Sequence, residues 1–377
     1  MRAYVTILIL SVATVRAQAE NPPTLVLPRS TVAVPVTASP PAAPPAGGSP
    51  TAPPMPDLRE PLAFKDLTPP EQHHKDEAPH LDTAHEHPPE NLFFSGEYLL
   101  LRARRAAFDF AISDSNRDLV PSGSIQSLNY NLQSGVRAGV GYRFGESAWV
   151  GDITYTYFRS GADRDVTAPA GGTLYATLTR PGLNDEAVTA TANGSLEYNV
   201  FDATVGRWIT IDEHAAMRLY GGFRWATVRD KFSAVYNGGD ANLGQVSTQN
   251  KFDGFGPILG GELVGNISGG FHLFARGNAS LLTGSFNNPI RETNNAGLTT
   301  YADLQYGTRR VIPVVGLGVG GGWAYRNVTL RAGYEITNWF GMIDSPRLSG
   351  ELSEAKYTTR SGNLSLEGLF FQLGLAW

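Results

Sequence analysis

From Asn91 to the last residue the chain repeatedly alternates apolar and small or polar residues with a period of two. Val136, Ala138, Val140, Tyr142 and Phe144 interleave with Gly135, Arg137, Gly139, Gly141 and Arg143. The same pattern returns at Trp149–Tyr157, Met217–Trp225, Phe271–Leu281 and Val328–Ile336. Successive side chains of a strand point to opposite faces, so each segment makes a strand with one apolar face, and no stretch carries a helical period. About ten strands are expected, near 92–106, 127–145, 147–162, 188–209, 215–236, 248–267, 269–287, 304–325, 327–341 and 359–377.

The connections decide between a soluble sandwich and a membrane barrel. They alternate: very short at Gly145-Glu146, Ile211-Asp212-Glu213, Ser268-Gly269 and Arg326-Asn327, and long after the first, third, fifth, seventh and ninth strands. An even number of strands with short turns at one end and long loops at the other is the pattern of outer-membrane barrels. The expectation is therefore an all-β fold, a transmembrane antiparallel up-and-down β-barrel of about ten strands, within a range of 8–12. Aromatics support it. Trp149, Trp208, Trp323 and Trp377 flank the short turns, while Tyr157, Trp225 and Phe340 stand near the other end of their strands. At about 3.3 Å per residue and a tilt near 40°, the separation is roughly 25 Å, the height of an outer-membrane apolar band. These seven are the expected membrane-interface residues. The opposite parity carries Arg137, Arg143, Arg218, Arg224, Arg276 and Arg331 with Asp152, Glu262 and Glu335, the expected lumen lining.

The first 90 residues are of another kind. MRAYVTILILSVATVRAQA has a cationic start, an apolar run and an Ala17-Gln18-Ala19 end, the grammar of a secretory signal over 1–19. Residues 20–90 hold 18 of the 25 prolines, first among alanines and then among charged residues and histidines. Such a stretch reads as a disordered, partly polyproline-II periplasmic linker. His85 and His87 are the best-spaced pair for a weakly held metal, and the stretch offers nothing to orient a coordination shell. The chain has no cysteine, which excludes disulfides, thiolate nucleophiles and a lipid-modified cysteine anchor. With 30 Lys+Arg against 35 Asp+Glu it lacks the basic balance of a nucleic-acid binder. No nucleic-acid partner and no cofactor are expected.

The body resembles the Legionella-type pore-forming major outer-membrane proteins. The pieces that carry the resemblance are FFSGEYLLLRAR, SLEYNVFDATVGRW, LYGGFRWATV, FGPILGGEL, GLGVGGGWAY, LRAGYEITNWF and LEGLFFQLGLAW, spread over most of 92–377. The resemblance implies a pore-forming barrel in the outer membrane and supplies no ligand. From the arginine-rich lumen parity, the expected function is a small, weakly anion-preferring pore for passive diffusion of small solutes. The alternative is a closed structural or adhesive barrel whose extracellular loops or Pro-rich linker bind surface partners or cell wall. An omptin-like enzyme stands third and is not favoured, because the body's histidines, His214 and His272, lie beside short, periplasmic turns. The glycines Gly316, Gly318 and Gly321 match a dinucleotide spacing, yet they sit within one strand instead of opening a helix. Small residues on that face leave room for water or for large neighbours. Expected partners are outer-membrane lipid, the assembly machinery through the strand ending at Trp377, and peptidoglycan through 20–90.

Overall fold

The computed structural model describes residues 92–105, 108–117, 120–145, 148–350 and 356–377. The expected signal segment, the Pro-rich linker and the pair His85 and His87 lie outside the described residues, as does Glu146 of the first short turn.

Fourteen strands follow in chain order: β1 Leu92–Arg105, β2 Asp109–Asp114, β3 Ser124–Ser127, β4 Leu132–Arg143, β5 Trp149–Thr167, β6 Thr173–Ala176, β7 Glu186–Ala187, β8 Thr189–Thr210, β9 Ala215–Gly238, β10 Ala241–Ser268, β11 Phe271–Asn294, β12 Thr299–Tyr325, β13 Val328–Leu348 and β14 Tyr357–Ala376. Ten of them close an antiparallel barrel in the order β1-β14-β13-β12-β11-β10-β9-β8-β5-β4. The first and last strands seal it, with Phe94 opposite Leu375 and Leu100 opposite Leu369. Closure leaves no strand edge unpaired, the condition for burying a sheet in hydrocarbon.

The outward face explains the alternation. Val136, Ile153, Phe201, Phe223, Leu259, Leu273, Leu317 and Leu373 are all exposed, each next to an inward residue of the opposite character. Around the short-turn end this apolar belt finishes on Trp149, on Trp323 stacked against Tyr325, and on Trp377. Its other edge carries Tyr157, Trp225 and Phe340, with Phe223 stacked on Phe255 just below. Trp208 departs from the expected set. It pairs with Arg218, shares the inward parity of Thr204 and Gly206, and packs against the interior, while Ile209 takes the outward place. Proximity to a turn was the sequence signal for Trp208, but parity decides the face.

Two differences concern the long connections. The barrel does not stop at the membrane: β10 has 28 residues, which at the same rise and tilt span roughly 70 Å, well beyond an apolar band of about 25 Å. The connection expected after the fifth barrel strand is a tight hairpin at Gly238 and Gly239, both with left-handed φ (86° and 66°), that joins two extended strands. Along these extensions the outward face is polar, with Ser233, Gln245, Ser247 and Gln249, while Phe232, Tyr236 and Val246 point inward, so the alternation runs in the reverse sense to that of the lower parts. The loops after the first and third barrel strands instead fold into a four-stranded sheet, in the order β3-β2-β6-β7. That sheet buries Phe108, Phe110, Leu128, Tyr130 and Leu174 in one apolar cluster with Phe232 and Tyr236 of the extended wall. The Tyr236 hydroxyl donates to the Phe110 carbonyl at 2.5 Å.

Candidate functional site

The interior of the membrane-spanning part is built in two layers. Nearer the short-turn end lies a cavity of about 420 Å³. All nine residues expected at the lumen, Arg137, Arg143, Asp152, Arg218, Arg224, Glu262, Arg276, Arg331 and Glu335, line it. They are not alone. Glu97 of β1 and Asp202 of β8 share the wall, and both went unread in the sequence although each is an acid at inward parity in a strand already identified.

At the upper end of the cavity four strands contribute one charge each to an alternating cluster. Arg137 Nη1 donates to Glu97 Oε2 at 2.5 Å and Arg137 Nη2 to Glu335 Oε1 at 2.8 Å. Arg276 answers from the far wall, donating from Nη1 to Glu97 Oε1 at 3.0 Å and from Nη2 to Glu335 Oε2 at 2.7 Å. Both carboxylates are buried, and each accepts from both guanidinium groups, so burial leaves no charge in the cluster uncompensated. Arg137 Nε is held by Thr156 Oγ1, and the Arg276 guanidinium lies 4.2 Å over the Phe370 ring. Glu97 and Arg137 are neighbours on the paired strands β1 and β4, whereas β11 stands on the opposite side of the ring, so the contacts of Arg276 with Glu97 and of Arg137 with Glu335 cross the lumen.

Three of the remaining arginines are paired with acids too. Arg224 grips Asp202 with two bonds, at 2.7 and 2.8 Å, Arg218 donates to Asp152, and Arg331 Nη1 donates to Glu262 Oε1 at 2.8 Å. Arg331 Nε also contacts His272 Nε2 at 3.2 Å. The arginine excess read from the sequence is therefore largely offset by Glu97 and Asp202, and the electrostatic basis for anion preference weakens with it.

Above the charged layer the inward side chains turn apolar. Leu99, Phe158, Phe252, Leu282, Ile312 and Trp339 are fully buried. Trp339 meets Tyr198 edge-on at 5.6 Å and Phe252 at 6.5 Å, and Phe252 meets Phe286 at 4.8 Å. Lower in the lumen, at and below the charged cluster, inward glycines of β12 leave room for large side chains. A Cβ on Gly320 would lie 2.8 Å from Phe274 Cζ, and one on Gly318 3.1 Å from Arg276 Cγ, so large neighbours from β11 occupy the room those glycines leave. A further buried ion pair, Arg105 with Asp230 at 2.8 Å, sits higher still, with the Arg105 guanidinium 3.9 Å over Phe108.

Several solved barrels share the general form. The outer membrane protease OmpT from Escherichia coli is similar at 12% identity over 77% of this chain and 97% of that chain, with a TM-score of 0.46. The translocator domain of the autotransporter NalP from Neisseria meningitidis gives 13% identity over 78% and 90%, with 0.33. Ail, the attachment invasion locus protein of Yersinia pestis, gives 10% over 75% and 99%, with 0.21. A search of curated proteins finds no match. The closed ten-stranded wall, the lipid-facing belt and a family model matching residues 88–377 agree: this chain belongs to the family described as Legionella pneumophila major outer membrane protein precursor, an outer-membrane β-barrel family.

Proposed function

We propose that this protein works as a closed outer-membrane barrel, a rigid anchor that presents its extracellular end to partners, and that it is not an open diffusion pore. The observation that carries the reading is the cluster of Glu97, Arg137, Arg276 and Glu335 across the lumen, roofed by the apolar layer around Trp339. A solute passing through would have to separate two buried carboxylates from two guanidinium groups and then displace fully buried aromatics. Eight-stranded barrels are filled by side chains and open aqueous channels belong to about sixteen strands, so ten strands leave little to spare. The extracellular end carries Ile125, Leu243 and Leu298, 64%, 46% and 90% exposed, within reach of a partner. His214 and His272 both lie at the short-turn end, which supports a non-enzymatic role.

The short-turn end faces the periplasm under this reading, and cell wall is the proposed partner of residues 20–90. The strand ending at Trp377, whose amide donates to Leu92 O at 2.8 Å, serves as the element that the assembly machinery reads. Liposome swelling tests the proposal: vesicles carrying the protein should take up a monosaccharide no faster than empty ones, and rapid uptake would favour the pore reading instead. Retention of the full-length chain on purified peptidoglycan, lost on deletion of 20–90, tests the linker.

A further inference from the structure

On the outer wall, above the lipid-facing belt, the barrel carries a depression of about 400 Å³ that the lumen account does not use. Most of its lining has outward parity: Lys231 of β9, Gln249 of β10, Arg291 of β11, and the neutral Asn193, Ser195 and Ser233. It opens where Pro289, which has no N–H to give, lies between the pairs Thr248–Ile290 and Lys251–Asn287 of the β10–β11 ladder. Lys231 and Arg291 are exposed, and among the described residues neither forms an ion pair. Acids on the neighbouring wall are Glu197, paired with Arg229, Asp253, paired with Lys251, Asp303, which stands opposite Arg291 in the ladder, and Asp163, opposite Asn193. Two unpaired cations flanked by amides and hydroxyls suit a ligand that carries both phosphate and sugar hydroxyls.

Position selects among such ligands. Lys231 stands roughly 15 Å beyond Trp225 along the barrel axis, taking the rise and tilt used above. The polar zone of a phospholipid leaflet is only about 5–8 Å deep, so a phospholipid headgroup stops short of it. A glycolipid with a phosphorylated saccharide above its acyl chains reaches that height while its chains lie against the belt of Phe223, Trp225 and Phe255. We infer that the depression lined by Lys231 and Arg291 is a binding site for the phosphorylated core saccharide of an anionic outer-leaflet glycolipid. The site is independent of whether the lumen is closed.

The test uses the full chain in detergent and purified rough-type lipopolysaccharide that retains its core phosphates, with binding read by native mass spectrometry. The double variant Lys231→Gln with Arg291→Gln should bind at least about tenfold more weakly, and the wild type should lose a similar factor toward the dephosphorylated glycolipid. Lys231→Arg, and Arg326→Gln at a short turn, should bind as the wild type does. Heat-modifiable gel migration establishes that each variant is folded, and the dephosphorylated arm reads the wild type alone. Undiminished binding by the double variant, equal binding of the dephosphorylated form, or full competition by inorganic phosphate at the same concentration would each overturn the inference.

Discussion

Arg137 on β4 and Glu335 on β13 meet at 2.8 Å although their strands are separated in the wall by β1 and β14. The contact is a strut across the lumen, and Glu97 and Arg276 complete it. Removing one charge strands the others. Glu97→Gln should lower stability by up to about 3 kcal/mol, at the low end for a broken buried pair because the cavity beside it holds room for water. Glu97→Gln with Arg276→Gln, which removes one charge of each sign, should recover part of that loss. Thermal unfolding followed by tryptophan fluorescence reads both, and equal stability for wild type and the single variant would remove the strut from the account.

Trp339 anchors the apolar roof, and Trp339→Ala should cost about 3–5 kcal/mol by leaving a cavity among Tyr198, Phe252 and their neighbours. With the charged layer intact it should still pass no current. A variant combining Trp339→Ala with the Glu97→Gln and Arg276→Gln changes should begin to conduct if the two layers together make the seal.

Gly333 faces Gly320 across β12 and β13, and a Cβ there would lie 2.8 Å from Phe370 Cζ. Gly333→Val should push Phe370 from beneath the Arg276 guanidinium and hinder closure of the barrel. The expected result is loss of the heat-modifiable band in outer-membrane fractions. Normal migration would mean the interior can repack.

Outside the membrane two carboxyls respond to pH in opposite senses. Amides of Asn116, at 2.8 Å, and Ser122, at 2.6 Å, hold Asp114 below the ordinary carboxylate range. Its folded pKa lies under the unfolded one, so its contribution is present at neutral pH and is lost as pH falls below about 4. Burial pushes Glu292 up, against the backbone amide of Arg180 that donates to it at 3.1 Å. Its folded pKa lies above the unfolded one, so its contribution is present below about pH 4.3 and is lost as pH rises through the folded value. Glu292→Gln should therefore raise the unfolding temperature at pH 7.5, with the gain shrinking in acid. Hydrogen exchange should show the Asn116 and Ser122 amides losing protection below about pH 4. A Glu292→Gln variant less stable at pH 7.5 would contradict the assignment.

The strand count, the short turns and the inward parity of the arginines were legible because lipid enforces apolar alternation wherever it touches the wall. The extensions beyond the membrane were not, since at the top of β9 and β10 water wets the outer face while Phe232, Tyr236 and Val246 pack inside, which reverses the alternation of a lipid-facing strand. The tight turn at Gly238 and Gly239 was hidden for the same reason: its flanks put their apolar residues inside and polar ones outside. Trp208 misled because a turn-proximal tryptophan suits either face. Glu97 and Asp202 were single acids in apolar segments, and only the register of neighbouring strands reveals which arginine each will meet.

The closed lumen is tested most directly by single-channel recording of the purified full-length chain in a planar bilayer. The account predicts a flat baseline for wild type at either polarity. Stable, stepwise conductance from the wild-type protein would contradict it, whichever ion carries the current.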